Sequence, residues 1–395
     1  MNGATEFKVT FDDAAIADIK TRLSMTRLPN EPDGNAHWDY GTNLSYMERL
    51  IAEWRDNFDF KAAEKKLNTY KQYRAALTDD KGQTHQVHFM YEKGSGPDAV
   101  PLILTHGWPS TFREFLEVTD MLAHPEKYGR SGPAFDVIVP SLIGYGYSSC
   151  PAVPVGPAVM ADLWHKLMTE VLGYKTYVAQ ACDWGSFVTS RLALQHADAV
   201  RAIHLTMLPL RPYLRHESQK PVSEEEGKWI KEMGAWWRQE EGYRSIQSTK
   251  PMALAFGLMD SPAGLAGWLA DKYYRLGDTD KTTTMDGMIA RFPFETILTQ
   301  FSIYWFSGSI NSANTLYKAG PAEGSALLKP GEKVSVPVAY SEYPMDVLPV
   351  TPRSWAERGY NIQRWRIMEK GGHFAAMEEP EYFADDVRDA FAELL

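Results

Sequence analysis

Apolar and polar positions follow three different rhythms along this chain, and the changes of rhythm divide it. Over residues 1–75 the spacing is helical with irregular stretches between. The segment "FDDAAIADIKTRL" (11–23) opens on Asp12 and Asp13, which suit a helix cap, and then repeats apolar residues at helical spacing. A second helix is expected over "SYMERLIAEWRDNF" (45–58). The stretch between them, "TRLPNEPDGNAHWDY" (26–40), reads as a loop laid over another part of the molecule.

From about residue 84 the rhythm becomes strand, loop, helix. "THQVHFMYE" alternates as a half-buried strand, whereas "VPLILTHG" and "FDVIVPSL" are continuous apolar runs, the mark of strands covered on both faces. Helical patterns fall between strands at "TFREFLEVTDML" and "AVMADLWHKLMTEVLGY", and further strands are expected at "TYVAQ" and "VRAIHLTML". This alternation predicts an α/β fold with a mostly parallel central sheet and helices on both faces. Residues 209–330 depart from it, being rich in Trp, Tyr and Met with helical periodicity and no clear strand. The strands "KVSVPVAY" and "RWRIMEK" and the helix "EYFADDVRDAFAELL" follow. The expected division is an extension wrapping core and cap (1–75), a first part of the core (76–208), an inserted helical cap (209–330) and a second part of the core (331–395).

Composition narrows the function classes. Apolar residues at 44% and charged residues at 23% are ordinary for a globular chain of 395 residues. A net charge of −10 without any Lys/Arg run argues against a nucleic-acid partner. Two cysteines, Cys150 and Cys182, make neither a disulfide framework nor a metal-ligand spacing, so a reduced cytoplasmic setting is expected. No window approaches the roughly 18 consecutive apolar residues of a spanning helix, and no membrane partner is expected. Oligomeric state is left open, a homodimer included.

The chemistry concentrates at one corner. In "QACDWGSFVTSRLA" (180–193) a strand turns through small residues into a helix, and the residue at the turn is Asp183. By itself an Asp at a helix start is a cap. Three other features, however, fall at comparable strand ends: "THGWP" (105–109), "SEYPMD" (341–346) and "KGGHF" (370–374). Corner residue, acid, histidine is the chain order of an α/β-hydrolase triad.

A carboxylate in the serine's place changes the reaction. Ionised at neutral pH, it attacks without a base, and at a saturated carbon it forms an ester whose carbonyl water can then attack. A serine would leave an inert ether, and no G-x-S-x-G occurs in the chain. His373 is then the candidate base for water, oriented by Asp346 or by its neighbour Glu342. The backbone N–H groups of Trp108 and Trp184 are candidates for the oxyanion hole, and both rings are candidates for the substrate-pocket wall. No cofactor or metal is called for.

The segments "HGWP", "CDWGS", "GYRSIQSTKP", "TLYKAG", "YPMD" and "GGHFAAMEEPE" resemble the microsomal-type epoxide hydrolases of the α/β-hydrolase superfamily. "FKVTFDDAAIADIKTRLSMTRLP" is similar to that family's N-terminal extension. The resemblance implies Asp183 as nucleophile, His373 as base and Asp346 rather than Glu342 as relay acid. It also implies Tyr243 and Tyr317 as the cap hydroxyls that polarise the epoxide oxygen, with Tyr274 and Tyr304 structural.

The chain departs from the family in carrying Ala181-Cys182 where two glycines are usual, and Cys182 is expected to tighten the pocket. It carries Asp where membrane-bound animal members carry Glu, and no counterpart of their anchor is expected, so that the resemblance implies a soluble bacterial or fungal type. The implied reaction converts a small apolar epoxide and water into a vicinal diol. The alternatives are a haloalkane or haloacid dehalogenase using the same Asp, and a non-catalytic small-molecule binder on the same fold.

Overall fold

The continuous apolar runs lie at the centre of one twisted sheet in a computed structural model that describes residues 1–35, 38–210, 220–279, 286–346 and 348–395. Among the described residues nine strands are present: β1 (Ala4–Phe7), β2 (Lys71–Thr78), β3 (Thr84–Glu92), β4 (Val100–Thr105), β5 (Phe135–Pro140), β6 (Tyr177–Ala181), β7 (Val200–Leu205), β8 (Val334–Glu342) and β9 (Tyr360–Ile367). Their spatial order is β1-β2-β3-β5-β4-β6-β7-β8-β9. The first three strands and the β3–β5 pair are antiparallel, and every other pairing is parallel. Every residue of β5 and of β6 is buried, Asp136 and Gln180 included, which is why these strands read as mostly apolar runs rather than as alternation.

The extension is less helical than its pattern suggests. β1 and β2, both within residues 1–78, belong to the sheet. β1 has only four residues at the sheet edge, and β2 has a broken alternation of buried and exposed positions, so neither carries a strong local signal. What makes β2 a strand is pairing with β3 along all eight of its residues. The helix Phe60–Leu67, capped by the Asp59 carboxylate on the N–H groups of Lys61 and Ala62, and the short helix Arg353–Gly359 were likewise not anticipated.

Between β7 and β8 the described residues form helices from Glu224 to Glu323 and no strand. Residues 211–219 and 280–285 of the expected 209–330 block lie outside the described residues. The N-terminal segment reaches this block through aromatic side chains. Phe11 stacks on Phe306 at 4.5 Å, Trp38 lies nearly parallel to Tyr274 at 4.3 Å, and the Trp54 indole donates to Ser302 Oγ at 3.2 Å. Among the described residues no helix is long and apolar enough to cross a membrane.

Trp54 is fully buried and makes its hydrogen bond across this seam. Trp54→Ala is expected to cost about 3–5 kcal/mol, the range for emptying a buried aromatic site. Urea unfolding measures the loss, and hydrogen exchange is expected to rise first in the helix Phe294–Ser307 that carries Ser302.

Candidate active site

Because β4, β6, β8 and β9 run parallel, their C-terminal ends share one edge of the sheet, and the chain leaving each end carries one of the polar groups singled out above. β6 ends at Ala181 and the helix Asp183–Gln195 starts two residues later. So abrupt a turn puts Asp183 at φ 47°, a left-handed conformation that costs a non-glycine residue roughly 1–3 kcal/mol. The turn also presses the new helix against β4. A Cβ on Gly185 would lie 2.0 Å from the Thr105 carbonyl oxygen, and one on Gly107 would lie 2.3 Å from Asp183 Cβ. Both positions exclude any side chain.

Asp183 Oδ1 accepts the Trp108 N–H at 2.7 Å. His106, beside it, donates from Nδ1 to the Gly107 carbonyl and accepts the Leu142 N–H at Nε2, which holds the loop after β4. Burial depresses His106 to about 4, in keeping with a neutral ring serving both bonds. On the other side of Asp183, His373 Nε2 stands 3.7 Å from Oδ2, while Nδ1 is 3.2 Å from Asp346 Oδ2. Nε2 is buried without a hydrogen-bond partner. Glu342, the last residue of β8, faces away, its carboxylate accepting the Trp365 indole N–H at 3.1 Å, so of the two candidate acids Asp346 is the one beside the histidine.

The loop bearing His373 is held by a residue that sequence reasoning passed over. The Glu378 carboxylate accepts the N–H groups of Gly372 and Phe374, on either side of His373, and that of Asp278 from the helical block. Burial pushes Glu378 up to about 7 although these donors pull the other way. Its place in "GGHFAAMEEPE" was the available signal, since a carboxylate one turn beyond a loop can cap the loop's N–H groups. The Cys182 thiol donates to the His373 carbonyl at 3.3 Å, so this side chain braces the histidine loop and is not on the cavity wall.

Four aromatic rings gather above Asp183. Tyr243 stacks on Trp108 (5.2 Å, 8°), and Tyr317 meets Trp108, Trp184 and Tyr243 edge-on at 5.7, 5.0 and 5.9 Å. A cavity of about 360 Å³ is lined by Asp183, His373, Tyr243, Tyr317, Trp184, Arg244 and Thr351 together with mostly apolar residues. Trp184 stands on its wall as expected, but the Trp108 ring does not. Only 1% exposed, that ring is packed behind the two tyrosines with its indole N–H on Asn314 Oδ1, and its backbone N–H is what reaches Asp183. Tyr304 donates to the Ser110 carbonyl and Tyr274 stacks on Trp38, both away from the cavity.

Electrostatics follow from this crowding. Burial opposes protonation of His373, yet Cys182, Asp346 and Asp183 together lift it well above the ordinary histidine value. The Cys182 thiol is itself pushed up to about 12 by burial and is therefore neutral, which leaves the two carboxylates as the charges that stabilise the imidazolium. Burial, then the facing Asp183, pushes Tyr243 up to about 12, and Tyr317 is raised by the same burial. Both hydroxyls therefore keep their protons at neutral pH.

Sheet order, strand-to-helix turn and the acid–histidine pair define an α/β hydrolase with a carboxylate at the turn. Comparison with known proteins takes this further. Residues 4–115 match the family model "Epoxide hydrolase N terminus" and residues 100–243 match "alpha/beta hydrolase fold". Epoxide hydrolase 1 of Sus scrofa is 32% identical, with 97% of this chain and 87% of that one covered. Juvenile hormone epoxide hydrolase from the silkworm Bombyx mori superposes with a TM-score of 0.86 at 27% identity, covering 99% of this chain and 94% of that one. The Aspergillus niger epoxide hydrolase structure gives 0.82 at 28% identity, over 99% and 96%. The chain belongs to the epoxide hydrolase family.

If the two carboxylates hold the proton on His373, removing one charge must lower its pKa. In Asp183→Asn, measured promptly after preparation, the imidazole is expected to titrate at lower pH than in the wild type, because the imidazolium has lost a negative neighbour. Histidine-selective NMR titration checks this; an unchanged or higher value would mean that Asp183 does not govern the histidine.

Proposed function

We propose that this enzyme adds water to an epoxide in two steps, with Asp183 as the nucleophile. The observation that carries the reading is an ionisable carboxylate at the strained turn, with one oxygen on a backbone N–H and the other facing the unpartnered Nε2 of His373. In the first step a carboxylate oxygen attacks an epoxide carbon, the C–O bond breaks, and the Tyr243 and Tyr317 hydroxyls donate to the departing oxygen. The product is an alkyl ester on Asp183 and a hydroxyl on the neighbouring carbon.

Ester formation discharges Asp183, so His373 loses one of the charges that held its proton and becomes the stronger acid of the pair. Passing that proton to the tyrosine that protonated the departing oxygen restores its hydroxyl and leaves a neutral imidazole, the form needed to activate water in the second step. Asp346 stabilises the imidazolium that then forms. The N–H groups of Trp108 and Trp184 stabilise the oxyanion that water attack builds on the ester. Water adds to the ester carbonyl, the diol leaves, and Asp183 is regenerated.

In this reading residues 209–330 form the cap that supplies both tyrosines, and residues 1–75 brace it on the core. The apolar wall suits a small apolar epoxide. Free thiols at Cys150 and Cys182 support a reducing, cytoplasmic setting. Paired hydroxyl donors suit an alkoxide leaving group and have no task in halide departure. Neither the dehalogenase nor the non-catalytic alternative is supported by the epoxide hydrolase relatives.

His373→Gln is expected to form the ester and fail to release it, because attack by a carboxylate needs no base whereas water does. Intact-protein mass should rise by one substrate mass during incubation with an epoxide the wild type turns over. An unmodified mass would refute covalent catalysis.

Tyr243→Phe and Tyr317→Phe are each expected to slow ring opening by about tenfold to a hundredfold, the worth of a hydrogen bond to a charged oxygen. The double variant should be far slower than either, with ester hydrolysis little changed. Stopped-flow alkylation rates beside melting temperatures test this: normal alkylation with reduced stability would make both hydroxyls structural.

A further inference from the structure

Building on the proposed ring opening, we infer that Arg244 forms an anion subsite in the same cavity, so that the enzyme's substrates include epoxides whose apolar body ends in a carboxylate. Arg244 follows Tyr243 on the helix Gly242–Thr249 and lines the cavity that contains Asp183 and His373. Its guanidinium lies 4.6 Å from the centre of the Trp237 ring. Among the described residues it has no carboxylate or carbonyl partner.

That isolation sets it apart. Four other partly or fully buried arginines hold a carboxylate, Arg113 with Glu117, Arg191 with Glu332, Arg291 with Glu379 and Arg358 with Glu226, and Arg74, stacked on Phe7, donates to the Tyr147 carbonyl. The acids nearest Arg244 along the chain are engaged elsewhere. Glu240 faces Lys272 at 3.8 Å, and Glu241 accepts the Ser245 hydroxyl.

A guanidinium is costly to keep among apolar groups without a counter-charge, and its fork of donors fits a carboxylate through two parallel hydrogen bonds. Stacking on Trp237 holds the group while leaving its N–H edge free. Met233, Trp236 and Phe187 share the same wall, so a ligand meeting Arg244 must also present apolar surface. A cavity of about 360 Å³ accommodates a small molecule with an epoxide at one end and an acid at the other. Asp183 repels a carboxylate, which forces the acid end toward Arg244 and thereby orients the oxirane toward Asp183.

The test compares two substrates in the same protein sample, so that partial misfolding cancels. Styrene oxide carrying a para-propanoate chain is measured against the matching para-propanamide, which has the same shape and no charge. The ratio of kcat/KM for acid over amide is expected to fall by about tenfold or more in Arg244→Met, the worth of a charge-assisted hydrogen bond. Arg244→Lys should retain part of it, and raising the salt concentration should lower the wild-type ratio.

A ratio unchanged within about twofold in Arg244→Met, against a tenfold expectation, would overturn the subsite. Turnover of the amide with no loss of ratio would remove the subsite alone. Failure of either compound to alkylate Asp183 in the wild type would instead remove the ring-opening reading beneath it.

Discussion

The rest of the site depends on one backbone constraint, the left-handed conformation of Asp183 where β6 turns into the helix Asp183–Gln195. Only that conformation lifts a carboxylate clear of the sheet edge while sending the helix straight back against β4. The approach leaves no room for side chains at Gly107 or Gly185. It tolerates Ala181 and Cys182 before the turn, where two glycines are usual in the family. The strain is offset by the burial of the helix it launches, in which Val188 and Leu192 are fully buried and Ser186 Oγ donates back to the Ala181 carbonyl.

The second organising feature is how the histidine is kept in register with the helical block. Glu378 caps the N–H groups on both sides of His373 and also takes the Asp278 N–H. Asp278 accepts the Gly371 N–H, and Arg291 bridges Asp278, the Glu378 carbonyl and the Glu379 carboxylate. One hydrogen-bonded cluster thus joins the loop that carries the proposed base to the end of the helix Pro262–Leu276 and to the helix Asp286–Arg291, in the same helical block as Tyr243 and Tyr317. A proton donor for the first step and a base for the second are held against the same carboxylate, although their positions in the chain are far apart.

Charge and burial act together here. Each of Asp183, His373 and Asp346 is costly to bury alone, and their mutual placement makes burial tolerable. The proposed chemistry uses that balance, because esterification of Asp183 removes one charge and shifts the proton affinity of the imidazole facing it. Arg244 is another charge lining the same cavity, and among the described residues it has no carboxylate partner.

Much of this was legible in the chain itself. β4, β5 and β6 are mostly apolar without alternation because those strands are covered on both faces, and their parallel order puts the residues after each strand on one edge. Asp183 and His373 could therefore be singled out as candidates from position, with Asp346 or Glu342 as the accompanying acid, and resemblance to a family favoured Asp346 and added Tyr243 and Tyr317. Other features were not local properties and could not be read. β1 and β2 are strands because of their pairing with the sheet, not because of their own pattern. Glu342 closes β8 and Asp346 lies four residues on in the loop after it, and only the folded structure separates the acid beside Trp365 from the acid beside His373. The Trp108 ring lies behind Tyr243, Cys182 turns toward the His373 carbonyl, and Arg244 lacks a counter-charge among the described residues, for the same reason. Hydrophobic period is written in neighbouring residues, whereas the partner of a polar group is decided by whatever the folded chain brings within about 3 Å of it.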